Sequence, residues 1–289
     1  MLASLRATLP AGLSHEIIFV DDGSTDGTRD WLRSLDRGSI SALLNEENLG
    51  YAAANNRGVA QAKGEVLVLL NNDLILTPGW LEPMLALYRS RGDAGAIGNV
   101  QLGVQSGTID HAGIVINAKG KPEHDRTPAE PWSHVREVPA VTGACLLIAK
   151  SLWHDLGGFD DHFLNGCEDV DLCLKAGVRR CKNLVALRSV IHHHISASPG
   201  RKRRDEANTR RLTLRWRDDL VCLGAKSWCE DFVARKLNSA TAFSAPLDAL
   251  KIWSHAAGFT SAPPAIALTS MQRAIDRELK RWNQLLGEV

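Results

Sequence analysis

Between Glu16 and about His194, short β-rich runs alternate with helical segments, and this alternation restricts the chain to a sheet covered by helices, an α/β fold. Strands are predicted at Glu16 to Val20, Ala42 to Asn45, Glu65 to Leu70, Ala94 to Val100 and Val138 to Ile148, with helices at about Asp26 to Leu35, Tyr51 to Ala62 and Pro78 to Ser90. The run Glu65 to Leu70 is nearly all apolar, as a central parallel strand covered on both faces would be. Thr77 before Pro78 reads as an N-cap followed by proline at the first helical position. Gly103 to Trp132 is rich in Gly, Pro and charge, which suggests an irregular excursion around one short strand, Ile114 to Ile116. After Pro199 the chain becomes Arg-rich and helical. Gly258 to Pro264 interrupts it, and a last helix runs from about Thr269 to Leu286. The boundaries expected are 1–198 for the α/β domain and 199–289 for a mainly helical extension.

Composition is that of a globular protein, 44% hydrophobic and 23% charged. The net charge of +1 asks for no polyanionic partner, so nucleic acid is not expected. From Arg201 onward, however, 16 Lys and Arg face 10 Asp and Glu. That basic end suits either an anionic surface, such as lipid headgroups or a diphosphate-bearing acceptor, or a solvated helical face. Its run Arg201 to Arg204 lacks the interleaved aromatics of single-strand binders. The six cysteines show no Cys-x-x-Cys spacing and read as reduced thiols, the alternative being a zinc set of Cys167, Cys173 and Cys181 with a histidine. No stretch reaches the ~18 to 20 apolar residues of a membrane span and no leader pattern opens the chain, so a cytoplasmic protein is expected, with peripheral membrane contact as an option.

Ligands of open α/β sheets collect at the carboxyl ends of strands. Asp21 and Asp22 sit at such an end, followed by the Gly23-Ser24 turn, and could accept from a nucleobase or ribose while turn amides face phosphate; an ordinary strand-to-helix turn has the same composition. Asp73, after Asn71 and Asn72, offers a hard oxygen for Mg2+ or Mn2+, or caps the next helix. Glu168 and Asp169 open a helix, where acids are favoured by the dipole, and one of them could serve as a general base. His192, His193 and His194 end a β-rich run, placing one or two rings where a metal could be reached. No Gly-x-Gly-x-x-Gly follows the first strand, which argues against a dinucleotide-dependent dehydrogenase.

In this order the motifs resemble glycosyltransferase family 2: Ile17 to Thr28, Asn48 to Gly58, Leu69 to Leu74 with Pro78 to Leu81, Val141 to Ala144, Gly157 to Asp160, Glu168 to Leu172 and His193 to Ser198. The resemblance covers roughly residues 1–200. It implies a GT-A fold, a nucleotide-diphospho-sugar donor, a glycan or lipid-linked acceptor, a Mg2+ or Mn2+ cofactor and inversion at the anomeric carbon. It also assigns roles: Asp21 to the nucleotide, with Asp22, Gly23, Ser24, Asn48, Gly50, Asn55, Asn71, Asn72 and Gly143 around the donor; Asp73 and His193 to the metal; Asp169 as base, with Glu168 orienting the acceptor. The subgroup it looks most like is that of rhamnosyltransferases of bacterial envelope polysaccharides. Two departures from the family pattern stand out. Residue 1 already falls in the helix that should follow an opening strand, and Asn71 replaces the first acid of the metal motif. A binding relative without catalysis is the competing reading that the first departure raises.

Overall fold

The architecture is that of a computed structural model, which describes residues 1–35, 38–130, 132–194, 201–237 and 246–287. Ser198, part of the histidine and serine cluster, lies outside the described residues, as do the side chains of Arg201 to Arg204. The chain divides into two compact units: Met1–Ile114 with His124–Arg204, and Val115–Glu123 with Asp205–Val289.

In the first unit the elements follow in the order α1 (Leu2–Thr8), β1 (Ile17–Asp22), α2 (Thr28–Ser34), β2 (Ile40–Asn45), α3 (Tyr51–Gln61), β3 (Val66–Leu70), β4 (Leu74–Leu76), α4 (Leu81–Ser90), β5 (Ala94–Gly103) and β6 (Ile109–His111). A hairpin of β7 (Ile114–Ile116) and β8 (Pro122–His124) intervenes. Next come β9 (Val135–Glu137), β10 (Cys145–Ala149), α5 (Lys150–Leu156), α6 (Glu168–Val178) and β11 (Lys182–His193). The main sheet runs β3-β10-β5-β11-β4, with β6 beside β5 and β9 beside β11, while β1 and β2 form a separate parallel pair. Its core is Leu74, Trp80, Met84, Ile97, Leu147, Leu184 and Ile191, all within 1% of full burial.

Three expectations need correction. The strand Val138 to Ile148 forms only over Cys145–Ala149, because the Thr142 and Gly143 amides point to side chains, His111 and Asp169, instead of a neighbouring strand. The apolar run Val66–Leu70 is neither central nor parallel: it ends the sheet, antiparallel to β10, with burial that alternates along it. Helix α4 begins at Leu81, not Pro78. The Thr77 hydroxyl donates to Val190 O at 2.6 Å, tying this segment to β11, and Gly79 at φ +79° takes the backbone out of helical space, so the helix starts only after Trp80. Strands β4, β6, β8, β9 and most of β11, together with α5, were not among the predicted elements; the first four are three residues long, too short to show a period.

The second unit is built from the hairpin residues and α7 (Arg201–Arg215), α8 (Arg217–Leu237), α9 (Pro246–Ala256) and α10 (Ala265–Leu286), with α8, α9 and α10 packed around Ala225, Cys229, Ile252 and Ala267. The hairpin turn presses on α10: a Cβ on Gly120, at φ +77°, would lie 2.5 Å from Ile275 Cγ1. Among the described residues no helix is long and apolar enough to cross a membrane.

Leu147 pairs with Val68 of β3 on one neighbouring strand and Ile97 of β5 on the other, and is fully buried. Leu147→Ala should therefore cost about 2 to 5 kcal/mol, the range for a large core truncation that leaves a cavity, as read from urea unfolding. A loss below about 1 kcal/mol would show that the sheet centre is not a rigid core.

Candidate active site

The first strand pair separates two neighbouring carboxylates by role. Asp22 is wholly engaged: Oδ1 accepts from Asn45 Nδ2 at 2.8 Å and Leu49 N at 2.9 Å, and Oδ2 accepts from Gly50 N at 2.8 Å. It holds the loop between β2 and α3. Asp21 points the other way, as strand alternation requires. It is 4% exposed, accepts from Ser24 N at 3.3 Å, and lies 3.7 Å from Arg29 Nε, yet its Oδ1 is buried without a hydrogen-bond partner. Gly23 is needed here because a Cβ would come within 2.8 Å of the Glu47 backbone.

A second group gathers where β4 meets β11. Their antiparallel register sets His193 opposite Leu74, so His194 N donates to Asp73 O at 2.9 Å. His193 Nε2 then lies 3.4 Å from Asp73 Oδ2, and its Nδ1 lies 3.5 Å from Asp110 Oδ2. The hydrogen bond to Asp73 raises the His193 imidazole above its ordinary range, against the opposing effect of burial. Asp73 Oδ1 is buried and has no partner.

The third group forms at the start of α6. Asp169 accepts from Gly143 N through Oδ2 and from Val170 N through Oδ1, both at 2.8 Å. Burial raises its carboxyl above the usual range, and those two N–H groups counter part of the rise. Buried Glu168 accepts from Gly166 N at 2.6 Å. The turn it holds is strained, since Asn165, Gly166 and Cys167 all have positive φ. Asn165 Oδ1 accepts from Tyr51 N, and the Tyr51 hydroxyl donates to Gly143 O at 2.7 Å.

His111 connects the last two groups. It follows Asp110, accepts from Thr142 N through Nε2 at 3.5 Å, and meets His124 edge to face with ring centroids 4.8 Å apart. Burial, and then the charges of His124 and His193, push its imidazole well below the ordinary range, so it stays neutral. Segment 142–144 thus touches His111, Asp169 and, through Ala144 O, the Asn71 amide at the end of β3.

Asp73 and His193, and Asp169 and Gly143, are therefore brought together in space. Other predicted residues make structural contacts. Asp22 is a clamp, Gly50 starts α3 at φ +89° and gives Asp22 its N–H, and the Asn55 amide donates back to Tyr51 O within its own helix. Asn48 and Asn72 are exposed. Asp110, His111, His124, Tyr51 and Asn165 were not foreseen. An Asp-His pair before a Gly was the one available signal for the first two. Among the described residues, the carboxylate and histidine group with ligand atoms all within 4.8 Å is Asp160, Asp161 and His162, a turn in which His162 N donates to Asp160.

Residues 1–147 match the family model described as Glycosyl transferase family 2. Over 225 residues the chain is 32% identical to the uncharacterized protein y4gI of Sinorhizobium fredii, covering 71% of this chain and 24% of that protein. It is 28% identical over 234 residues to the N-acetylglucosaminyl-diphospho-decaprenol L-rhamnosyltransferase of Mycobacterium tuberculosis, covering 69% and 72%. The crystal structure of GalNAc-T7 with UDP, GalNAc and Mn2+ aligns at a TM-score of 0.62 and 16% identity, covering 99% of this chain and 53% of that one. At that identity the likeness is one of fold, which is GT-A. The chain thus spans about a quarter of y4gI and about half of the GalNAc-T7 chain.

The division between neighbouring aspartates is testable. Asp22→Ala should cost about 3 kcal/mol, since three donors lose a charged acceptor. Asp21→Ala should change stability by less than about 1 kcal/mol, because one long bond and a buried orphan oxygen are removed together. Equal losses in chemical denaturation would contradict the assignment.

Proposed function

The chain belongs to glycosyltransferase family 2, and from that membership we propose that it is a metal-dependent, inverting enzyme that moves a sugar from a nucleotide-diphospho-sugar to a hydroxyl of a glycan or lipid-linked acceptor. The observation that carries the reading is the meeting of Asp73 and His193, far apart in sequence, with a carboxylate oxygen left buried and unpartnered between strands. A buried acceptor without a donor is costly unless something else satisfies it. One hard oxygen and one imidazole nitrogen suit Mg2+ or Mn2+, which need few protein ligands when phosphate and water complete the shell. Asp73 and His193 would hold the ion, and once bound it offsets charge on the leaving diphosphate.

The remaining work falls to side chains of this unit. Asp21, with an unpartnered oxygen beside the Gly23 turn, contacts the nucleotide. Asp169 takes the proton of the acceptor hydroxyl as that oxygen forms its bond to the anomeric carbon, on the face opposite the breaking bond to diphosphate. Its two backbone donors fix the carboxylate plane, and its raised basicity suits proton removal. Glu168 acts through the strained turn that it ties. Neutral His111 fixes segment 142–144 and so the Gly143 amide that orients the base. Similarity to the mycobacterial enzyme supports a deoxysugar donor and a polyprenyl diphosphate acceptor as the first pair to assay. The basic residues after Arg201 support peripheral contact with an anionic membrane surface.

A second reading, a sugar-binding relative without catalysis, draws on the break between the β1-β2 pair and the main sheet. Thermal-shift measurements with UDP-, GDP- and dTDP-sugars, each with and without Mn2+, separate binding from turnover when paired with a transfer assay. Asp73→Ala should remove the metal-dependent shift. Asp169→Asn should lower kcat by about 100- to 10,000-fold while the donor still binds. If donor binding falls equally in Asp169→Asn, the base assignment fails; if the wild type binds donor but transfers to no acceptor, the binding reading takes over.

A further inference from the structure

A cavity of about 380 Å³ lies wholly within the second unit, within the size range of small-molecule sites. Three elements face it. Ser270, Arg273, Ala274 and Arg277 recur along one side of α10, and Trp228, Asp231 and Arg235 along one side of α8. Lys119 comes from the hairpin turn, where Asn117 Oδ1 accepts from Lys119 N at 2.9 Å and Lys121 N at 3.1 Å and so fixes the turn. The seam between two packed helices ordinarily closes on apolar side chains. Here Ala118 and Ala274 leave it open, and cations line it.

Four cations face a single carboxylate, Asp231, which Arg235 Nη2 already approaches at 3.8 Å. Lys119, Arg273 and Arg277 have no carboxylate within ion-pair distance among the described residues. Other cations of the same unit do: Lys121 lies 2.9 Å from Glu278, Arg217 lies 2.6 Å from Asp276, and Arg281 reaches Glu206 at 2.5 Å. Arg273 and Arg277 also stand one helical turn apart, a like-charge spacing that works against the helix. Among the described residues Asp231 is the one carboxylate lining the cleft, against four cations, and an anion would offset the excess. Guanidinium forks suit phosphate oxygens, and Trp228, stacked on Phe232 with centroids 5.3 Å apart, gives a flat apolar wall for a group attached to the phosphate.

We propose that the cleft between α8, α10 and the 117–121 turn is a second ligand site, which binds a phosphate or diphosphate ester through Lys119, Arg235, Arg273 and Arg277. Its ligand is a free phosphate ester or the headgroup of a phosphate-bearing lipid, which share this chemistry. Its lining residues belong to the second unit, whereas Asp21, Asp73, Asp169 and His193 belong to the first.

The test is calorimetric titration of the full chain with inorganic diphosphate in the absence of divalent metal. Saturable binding is expected. It should weaken at least about ten-fold in R273Q/R277Q and also in Lys119→Gln, which sits on a different element, and persist in Asp73→Ala. The melting temperature of R273Q/R277Q should stay level or rise, since a like-charge pair is removed; a purely structural role for the arginines would lower it. Co-sedimentation with phosphatidylglycerol vesicles separates the two sources. Vesicle binding that diphosphate displaces and R273Q/R277Q abolishes assigns a lipid headgroup, and diphosphate binding without vesicle binding assigns a free ester. No saturation by ~10 mM diphosphate, or binding that R273Q/R277Q leaves unchanged or Asp73→Ala abolishes, overturns the proposal.

Discussion

The parallel pairing of β5 with β11 governs where the chemistry of the first unit can sit. β11 runs beside β5 from Lys182 to Ala186, bulges through Leu187, Arg188 and Ser189, and resumes beside Val100 to Gly103. The bulge lets one strand serve two neighbours on its other edge: β9 before it and β4 after it. Ser189, fully buried, gives its hydroxyl to Trp80 O and ties the bulge to the segment entering α4. Only because β11 resumes in register does His193 arrive beside Asp73. The same extension of β5 carries β6, and with it Asp110 and His111, to the opposite side of the His193 ring.

The polar atoms that lack partners follow from that arrangement. Asp21 Oδ1, Asp73 Oδ1, His193 Nδ1 and His111 Nδ1 are all buried without a hydrogen bond, as are side-chain atoms of Asn45, Trp80, Asn99 and Gln101. Burying such groups costs free energy that packing elsewhere must offset. The first four lie on strand ends and the loops next to them, where the sheet cannot close on itself, and so does the run of positive φ from Asn165 to Cys167. Strain and unsatisfied polarity occurring in one region are what a preorganised site requires and a purely structural region avoids.

Legibility in the sequence tracked how local each signal was. β1, β2, α3 and α10 were close to their predicted limits because period and end signals lie within a few residues. Asp73, Asp169 and His193 stand out in the sequence through ordered motifs, each at the end of a recognisable element. What stayed hidden depends on partners distant in the chain. Asp22 and Asp21 are adjacent and chemically identical, and only the loop over Asn45 to Gly50 shows that one is a clamp. Thr77 has the form of an N-cap, yet the helix starts only at Leu81, after the left-handed turn at Gly79. β6 and His111 lie in a stretch whose glycines and prolines mark turns, and three-residue strands carry no period. Pairing with β5 alone makes them ordered.

The separation of β1 and β2 from the main sheet raises the question of what positions Asp21 against the rest of the site. No ladder hydrogen bonds join β1 to β3 among the described residues. Other contacts substitute. α3 packs on β1, with Gly58 so close to Val20 that an added Cβ would lie 3.0 Å from Val20 Cγ2. Glu16 accepts from Lys63 N and Gly64 N, just ahead of β3. At its other end, α3 is fixed by Asp22 through Gly50, by Asn165 through the Tyr51 amide, and by Gly143 through the Tyr51 hydroxyl. One helix therefore joins the end of β1 to the turn before α6 and to Gly143. Because Gly143 also donates to Asp169, a displacement of α3 would reach the candidate base through two hydrogen bonds, Tyr51 to Gly143 and Gly143 to Asp169, with no sheet in the path. The distance between Asp21 and Asp169 is therefore set by helix packing and side-chain ties and not by a strand ladder.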